Sequence, residues 1–283
     1  MNNKVDKVIE DFGSEWTSYT QEELSEEELR SIFDEYFRIV DLNALPEGCV
    51  AADVGCGSGR WAKFVAPNVA KLYCVEPSSA IEVARRNLAD VENVRFVNSD
   101  LESMPIDDGS LDFLYCLGVM HHVPDTQASI LSCAAKLKPG GRMLAYLYYR
   151  FDARPIWFRA LWRVSDVARR LISRLPHRMK LATTWAIAVL VYLPLARSSS
   201  VLERLGFDVT DFPLSYYRSK SVYTMKTDAL DRFGTSLEHR FTQPEIRAMF
   251  ERAGFEKIEF SPDKPFWCVT GVIMAPECQD ASA

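Results

Sequence analysis

The chain has 283 residues, of which 48% are hydrophobic and 25% charged, and its formal net charge is −6. This composition indicates a globular protein with enough apolar material for one large core, or for a core and a subdomain. The seven cysteines are odd in number and form no C-x-x-C pair, so neither a disulfide framework nor a metal site is expected. The acidic N-terminus lacks the basic and then apolar pattern of a signal peptide, and we therefore expect a cytoplasmic location.

An aromatic-rich segment, residues 12–19, precedes any recognisable core element. Trp16 and Tyr19 either clamp this segment onto the core or form a lid that closes over a ligand. A helix is predicted next, because Ser25 and Glu28 have the spacing of a capping box and apolar residues then recur on one side.

A short apolar run followed by alternating glycines occupies residues 50–61. The run predicts a buried strand that turns sharply into a helix, and Gly55, Gly57 and Gly59 allow positive φ and the close approach of a ligand. A dinucleotide-binding turn is disfavoured, because it would need glycine where Arg60 stands. The sequence also lacks the Gly-Lys-Ser/Thr of a P-loop and the G-x-S-x-G of a serine hydrolase.

A second predicted strand, Lys71–Val75, ends at Glu76 and Pro77. In nucleotide-binding α/β folds an acidic residue about 20 positions after the glycines accepts hydrogen bonds from the ribose hydroxyls. The alternative is that Glu76 caps the helix predicted over residues 78–88.

Strands and helices alternate along the rest of the chain. The further predicted strands are Val94–Val97, Leu111–Leu117, Arg142–Tyr148, Lys257–Phe260 and Trp267–Met274. The predicted helix Thr126–Leu137 follows the strand Leu111–Leu117, and the predicted helix Gln243–Ala253 precedes the strand Lys257–Phe260. Such alternation predicts a parallel, doubly wound sheet with ligand-binding residues at the carboxyl ends of its strands.

These motifs in this order resemble those of the class I S-adenosylmethionine-dependent methyltransferases, of the small-molecule, type 11 kind. The resemblance implies an α/β, Rossmann-like doubly wound sheet of seven strands, with a helical insertion before the last helix. It implies S-adenosyl-L-methionine as cofactor. In the family, Asp53 and the glycines would hold the methionine part, and Asp100 and Leu101 would contact the adenine. The cofactor-binding residues that it assigns are Asp53, Gly55, Gly57, Gly59, Glu76, Pro77, Asp100, Leu101 and Leu117.

His121 and His122 are the candidate catalytic residues. Methyl transfer to a hydroxyl requires correct positioning and a base, and imidazole titrates near neutral pH. The alternative is a structural or cofactor-side role for one member of the pair. The candidate substrate-side residues are Trp16, Tyr19, Tyr149 and His239.

The region from Arg150 to Arg204 is strongly basic, with 11 Lys and Arg against 3 Asp and Glu, whereas the rest of the chain carries −14. From Ile156 onward, apolar residues share one side of a predicted helix and arginines share another. The uncharged run Leu181–Ala196 has 16 residues, which is too short at 1.5 Å per residue to cross a bilayer.

Two interpretations of this region remain open. It is either a helical cap whose apolar side belongs to the core, or a surface that docks on an anionic membrane through residues 156–196. Nucleic acid is not an expected partner, because large aliphatic residues interleave with the charge and no RNA-binding motif accompanies it.

The predicted function is O-methylation of a small or lipid-linked acceptor, in cell-surface glycan, lipid, quinone or secondary-metabolite synthesis, at the inner face of the membrane or in the cytoplasm. The alternative is a catalytically inactive relative that serves as a binding or membrane-docking module. The sequence does not indicate the acceptor or the oligomeric state. The predicted domains are an N-terminal lid (1–45), a cofactor-binding core (46–150), the insertion (151–235) and the closing helix and hairpin (236–283).

Overall fold

The computed structural model describes residues 9–10, 12–14, 18–19, 23–151, 154–263 and 267–275. The chain forms two compact units, each with its own apolar core. The helical unit comprises Met1–Ile32 and Phe151–Glu238, and the sheet unit comprises Phe33–Arg150 and His239–Ala283.

The sheet unit is built on one mixed sheet. Its strands within the described residues are β1 (Val50–Val54), β2 (Lys71–Val75), β3 (Val94–Val97), β4 (Leu111–Leu117), β5 (Leu137–Tyr146), β6 (Phe255–Phe260) and β7 (Cys268–Ile273). They lie in the order β3-β2-β1-β4-β5-β7-β6. β1 to β5 are parallel, and β7 pairs antiparallel with both β5 and β6. The predicted doubly wound, seven-stranded α/β sheet is therefore confirmed for the described part of the chain.

The centre of the sheet is the place where the strand order reverses. β1 lies between β2 and β4, and its small residues Ala51 and Ala52 are fully buried. The chain runs from β1 to β2 and β3 on one side and then crosses to β4 on the other. In such folds ligands bind at the carboxyl ends of the strands beside the reversal. The glycine segment follows β1 and His121 follows β4, so both lie at this position.

The fifth strand differs from its predicted bounds. It begins at Leu137, directly after a helix, and ends at Tyr146 rather than Tyr148. The reason is the close backbone packing around Gly141, where a Cβ would lie 2.8 Å from the Lys138 carbonyl oxygen and 3.0 Å from that of Leu111. The glycines therefore belong to the strand itself and are not only a turn before it.

Helices complete both units. They are α1 (Glu26–Phe37), α2 (Ala62–Val65), α3 (Ala80–Asn87), α4 (Thr126–Lys136), α5 (Ile156–Ile172), α6 (His177–Arg204), α7 (Val222–Gly234) and α8 (Gln243–Arg252). Side-chain caps fix several starts: Asp125 accepts from the backbone N–H of Ala128 at 2.9 Å, and Thr242 and Glu245 form a full capping box.

The capping box predicted for α1 is only half correct. Ser25 Oγ accepts from the backbone N–H of Glu28 at 3.2 Å, as expected. The Glu28 carboxylate, however, accepts from the Ser221 N–H and the Thr224 hydroxyl, both at 2.8 Å. It thereby ties α1 to the start of α7 within the helical unit.

The helix α6 is longer than its uncharged centre suggested. It runs for 28 residues, through a π-helical segment Ala188–Tyr192 and past Pro194, and only 28% of its most apolar window is buried. By length and composition it could cross a membrane, so the predicted limit on its length is wrong. A sequence run without charge ends at the first arginine, whereas a helix continues through it.

The buried side of α5 is partly polar, although Ala168 and Ile172 pack against the apolar core of the helical unit. Asp166 and Arg169 are buried in the helical unit, whereas Leu161 and Leu171 are 50% and 62% exposed. The interpretation that the apolar side of this helix lies in a core is therefore wrong. Periodicity shows which residues share a side of a helix, but it does not show which side faces inward.

The two ends of the insertion lie side by side in the sheet unit. Tyr149 forms a parallel bridge with Phe241, Phe241 N donates to the Tyr148 carbonyl at 2.9 Å, and Arg150 N donates to the Phe241 carbonyl at 3.0 Å. The chain thus leaves the sheet unit and re-enters it at neighbouring positions.

Candidate active site

The glycine segment forms a tight turn after β1. Gly55, Gly57 and Gly59 have φ values of 76°, 54° and 74°, which favour glycine strongly. A Cβ on Gly55 would lie 2.4 Å from Val119, and one on Gly59 would lie 2.7 Å from Leu88. These two glycines are therefore required by packing against the protein itself, in addition to any ligand.

Asp53 stands at the end of β1 and is buried. Among the described residues its Oδ2 atom has no hydrogen-bond partner, and neither has the hydroxyl of Tyr115, its register partner on β4. Burial raises the pKa of Asp53 to about 8, with Glu76 adding to the rise and the nearby Tyr115 opposing it. The carboxyl group is therefore neutral at pH 7 in the ligand-free protein.

Glu76 stands at the end of β2 and connects two parts of the site. Its Oε2 accepts from the Gly57 N–H at 3.1 Å, and its Oε1 accepts from the Ser78 N–H at 3.0 Å and the Ser78 hydroxyl at 2.5 Å. The carboxylate therefore holds the glycine turn and the chain leading into α3 together. Glu76 does not cap α3, because the helix begins at Ala80, whose N–H donates to the Ser78 hydroxyl at 3.2 Å. Each carboxylate oxygen has two lone pairs, so Oε2 can still accept from a ligand hydroxyl.

The residues expected near an adenine follow β3. Asp100 Oδ1 accepts from the N–H groups of Glu102 and Ser103 and from the Ser103 hydroxyl, at 3.1, 2.8 and 2.6 Å. The bond from the Ser103 hydroxyl is the main cause that lowers the pKa of Asp100. All three donors use Oδ1, so Oδ2 is not engaged by them. The Leu101 side chain is buried in the core, which leaves its backbone as the part able to meet a ligand.

Pro77 and Leu117 also lie at carboxyl ends of strands. The Pro77 carbonyl accepts from the Asn98 side chain at 3.3 Å, and this contact links the ends of β2 and β3. Leu117 is half-buried at the end of β4 and pairs with Tyr146 on β5. The cofactor residues that the sequence assigned thus stand on four neighbouring chain segments at one edge of the sheet.

His121 lies in a short 3-10 turn, Met120–His122, directly after β4. Its ring is fully buried and stacks on Tyr148, with ring centroids 3.8 Å apart. Neither ring nitrogen has a hydrogen-bond partner among the described residues. Burial, together with the nearby His122 and Arg240, holds the pKa of His121 well below its usual value. The ring is therefore neutral at pH 7 and able to accept a proton.

The other two candidate histidines lie beside His121. The ring centroids of His121 and His122 are 4.2 Å apart, and the His239 N–H donates to the His121 carbonyl at 2.8 Å. The structure thus brings together three histidines that are up to 118 positions apart in the sequence. Of the three, only His121 has two buried ring nitrogens that both lack a hydrogen-bond partner among the described residues.

The remaining substrate-side candidates are less closely gathered. Tyr149 is half-buried, forms the bridge with Phe241, and has its ring 6.2 Å from that of Trp267. Tyr19 belongs to the helical unit, where its ring meets Tyr223 edge-on at 5.7 Å. Trp16 lies outside the described residues. A lid role for Trp16 and Tyr19 stays a prediction.

Sequence reasoning missed three parts of the site. Ser58, between the glycines, is buried with an Oγ that has no hydrogen-bond partner among the described residues. Tyr115 is revealed only by the register of β1 against β4. The Arg240 guanidinium lies over the Tyr148 ring at 4.8 Å. Ser58 could have been found, because a polar residue inside a ligand-binding turn is itself a signal.

Comparison with known proteins agrees with this geometry. Residues 52–145, inside the sheet unit, match the family model described as a methyltransferase domain. The ubiquinone biosynthesis O-methyltransferase of Coxiella burnetii is 35% identical over 107 residues, which cover 34% of this chain and 46% of that protein. The demethylmenaquinone methyltransferase of Staphylococcus aureus is 29% identical over 111 residues, which cover 38% and 46%.

A solved structure of a candidate methyltransferase from Bacillus halodurans has the same fold, with a TM-score of 0.51 at 17% identity over 82% of this chain and 72% of that chain. This chain spans less than half of the length of the two relatives that it matches in sequence. Residues 52–145 within the sheet unit thus match a methyltransferase domain in sequence, and the sheet has the fold of such a domain. The cofactor that the sequence resemblance implies is S-adenosyl-L-methionine.

The residues present fit this cofactor. The ligand carries an ammonium, a sulfonium and a ribose diol, and the site offers a buried acid and a carboxylate to receive them. Asp53 Oδ2 and Ser58 Oγ are buried polar atoms without partners among the described residues, and such atoms normally have one. Asp53 and Ser58 would hold the methionine part, Glu76 the ribose, and Asp100 with the Leu101 backbone the adenine.

Proposed function

We propose that this protein transfers a methyl group from S-adenosyl-L-methionine to an oxygen atom of a small or lipid-linked acceptor. The observation that carries the proposal is the neutral, buried His121 at the end of β4, beside a glycine turn held by Glu76. A cofactor site alone would also be compatible with a catalytically inactive binding protein of the same fold. A neutral imidazole whose buried ring nitrogens have no hydrogen-bond partner among the described residues supports chemistry on a group that must lose a proton.

The bound cofactor supplies a methyl group on a positively charged sulfur. The chain's own residues position the reactants and take up the acceptor's proton. The O–H bond of the acceptor and the S–CH3 bond of the cofactor break, an O–CH3 bond forms, the S–CH3 electron pair stays on the sulfur as a neutral thioether, and the proton passes to a ring nitrogen of His121. The low pKa of His121 keeps the base unprotonated before each turnover. It also favours return of the proton to solvent afterwards.

An aromatic or otherwise planar hydroxyl acceptor fits the surroundings of His121 best. Tyr148 stacks on the histidine, Tyr146 lies 6.1 Å from it edge-on, and Tyr36 contacts Tyr146 at 5.1 Å between centroids. Such rings favour a flat, apolar ligand. The names of the relatives from Coxiella and Staphylococcus refer to ubiquinone and demethylmenaquinone, and this supports a quinone-type acceptor. An acceptor of this kind is lipid-linked, which supports work at the inner face of a membrane.

Methyl transfer from tritiated S-adenosyl-L-methionine into lipid extracts and into polar metabolite extracts tests the proposal. We expect label in the lipid fraction, and turnover about a hundredfold lower for His121→Gln at nearly unchanged cofactor affinity. The matched control is His177→Gln, a change at an exposed histidine of α6, which should keep full turnover. Cofactor binding by calorimetry without transfer into either fraction would instead identify a catalytically inactive binding module.

A further inference from the structure

Two charged residues of helix α5, Asp166 and Arg169, are buried. Arg169 Nε donates to Asp166 Oδ1 at 2.8 Å and its Nη1 donates to the Thr235 carbonyl at 3.1 Å, all within the helical unit. The outer side of the helix is apolar. Its exposed large apolar residues are Ile156, Trp157, Leu161, Val164, Val167 and Leu171, each at least 50% exposed.

The helix α6 repeats this arrangement. Lys180, Thr184 and Ser199 are buried, and Lys180 Nζ donates to the Gly234 carbonyl at 3.1 Å. Its exposed large apolar residues are Met179, Trp185, Leu190, Val191 and Val201. Two helices of one unit thus bury several polar groups beside a small apolar core and expose many large apolar side chains, which is unusual in a protein surrounded by water. We call these eleven exposed residues the apolar face.

The charges around the apolar face indicate what covers it. Arg159, Arg163 and Arg174 are exposed and, at 100° per residue, fall along one border of the apolar side of α5. The stretch from Arg150 to Arg204 carries a net +8 in a chain that is otherwise acidic. A second copy of the chain would bring the same arginines against this border, and like charges repel. An anionic lipid surface offers apolar contact and opposite charge together, and Trp157 and Trp185 suit its interfacial zone.

The contacts on the inner side of α6 favour a helix that lies on the membrane over a helix that crosses it. Ala188, Tyr192 and Ala196 pack with Met225, Ala229 and Phe233 in the core of the helical unit. Lys180 is held by the same unit through the Gly234 carbonyl. The other helices of the unit thus hold α6 along one side, and a buried cation lies near its start. Hydrocarbon could not surround this helix without breaking these contacts. Its length alone therefore does not make it a spanning helix.

We propose that the apolar face of α5 and α6 docks in the plane of a bilayer that contains anionic lipid, with Arg159, Arg163 and Arg174 at the headgroups. The docking itself is independent of methyl transfer. Its use, to bring the enzyme to a lipid-linked acceptor, rests on the proposed function.

Vesicle flotation of the full chain tests the docking. We compare phosphatidylcholine vesicles with and without phosphatidylglycerol, at low and at high salt. The parent should float with the anionic vesicles, and binding should fall as salt rises. In the charge variant Arg159→Gln, Arg163→Gln and Arg174→Gln are combined. Its partition coefficient should fall about a hundredfold, since each cation near an anionic surface contributes about a factor of five. In the apolar variant Trp157→Ser, Leu161→Ser and Val164→Ser are combined, and we expect a loss of roughly tenfold or more.

Two matched controls change the sheet unit instead. Lys63→Gln, Arg86→Gln and Lys257→Gln together remove the same charge, and Leu131→Ser removes an exposed leucine. Both control variants should float like the parent. Equal flotation of the apolar variant and the parent would overturn the proposal, and so would a parent that does not float with anionic vesicles at low salt.

Further measurements distinguish membrane docking from a second copy of the chain and from a spanning helix. They also separate the docking proposal from the proposed methyl transfer. A parent dimer in sedimentation that the apolar variant dissociates, without flotation, would assign the face to a second copy and overturn docking. Retention in the vesicles after alkaline carbonate would indicate a spanning helix and overturn the in-plane arrangement. Calorimetry with S-adenosyl-L-methionine on the same preparations tells the failures apart: cofactor binding without flotation removes docking alone, whereas flotation without cofactor binding removes the methyltransferase proposal alone.

Discussion

Each unit of the molecule buries an aspartate, and the two aspartates have opposite surroundings. Asp166 in the helical unit pairs with Arg169 at 2.8 Å and with Arg170 at 2.9 Å. Asp53 in the sheet unit has an Oδ2 atom without a partner among the described residues, and burial raises its pKa to about 8. A buried carboxylate with its own cations serves the fold, whereas a buried acid without them destabilises the fold and indicates a ligand.

The apolar residues of the two units show the same contrast. The sheet unit follows the usual rule, with Leu114, Met143 and Leu144 fully buried between strands and helices. The helical unit buries Asp166, Arg169 and Lys180 beside a small apolar core and leaves many large apolar side chains of α5 and α6 exposed. The proposed docking accounts for this difference, because an apolar partner would cover those side chains.

Removing the carboxylate of Asp166 should have the largest effect. In Asp166→Ala the Arg169 guanidinium stays buried without its counter-ion, and we expect a loss of about 3–5 kcal/mol in the free energy of unfolding. Chemical denaturation measures this loss. The control is Arg170→Met at the exposed end of the same cluster, where a change below about 1 kcal/mol is expected. Similar losses in both variants would mean that Asp166 and Arg169 do not form a buried pair.

Two leucines test the inside-out arrangement directly. Leu114→Ala should cost about 2–5 kcal/mol, because it leaves a cavity in the core of the sheet. Leu161→Ala on α5 should change the free energy of unfolding by less than about 0.5 kcal/mol, because this side chain is half exposed. A comparable loss at both positions, measured in the same denaturation series, would contradict the exposed apolar face.

Glu76→Gln tests whether the acid at the end of β2 serves the ligand. The amide keeps the shape but loses the charge-assisted bonds, so affinity for S-adenosyl-L-methionine should fall about ten- to a hundredfold. Isothermal calorimetry measures this affinity. Glu82→Gln, on the exposed side of α3, is the matched control and should bind like the parent. Unchanged binding by Glu76→Gln would remove Glu76 from the site.

The effect of Asp53 appears as a pH dependence of stability. The raised pKa means that the folded protein keeps this proton up to about pH 8, whereas the unfolded chain releases it near the ordinary value of 3.8. The stability that Asp53 contributes is therefore fully present below that ordinary value and is lost as the pH rises toward 8, by up to about 1.4 kcal/mol per pH unit.

The variant Asp53→Asn cannot ionise. The difference in the free energy of unfolding between parent and variant should thus become less favourable to the parent as the pH rises through this window. Denaturation curves without cofactor at a series of pH values measure the difference. Parallel curves for the two proteins would show that Asp53 does not carry an extra proton in the folded state.

The sequence predicted the central sheet well and the helical unit only in part. β2, β3 and β4 have their predicted bounds, because short apolar runs between polar turns define buried parallel strands. Glycines inside β5 looked like a turn, since close backbone approach cannot be read from one strand alone. The orientation of α5 and the full length of α6 depend on contacts with α7, which the local sequence does not contain.

The candidate site shows the same limit. The candidate cofactor residues could be named from the sequence because they lie at or near the ends of predicted strands, and their role stays a prediction. Tyr115 and the Arg240–Tyr148–His121 stack were missed, because they depend on strand register and on a chain return from beyond the insertion. The choice between His121 and His122 likewise depends on burial and ring contacts that adjacent positions in the sequence do not reveal.

The bridge between Tyr149 and Phe241 makes the insertion Phe151–Glu238 a modular addition to the sheet. Its two ends meet at neighbouring backbone positions, so an ancestor with a short loop between β5 and α8 needs no rearrangement of the sheet to accept it. The entropy of closing such a loop grows only with the logarithm of its length, so 88 residues at this point cost little more than a few dozen. The insertion could thus be exchanged in evolution while the segment that matches a methyltransferase domain stays the same.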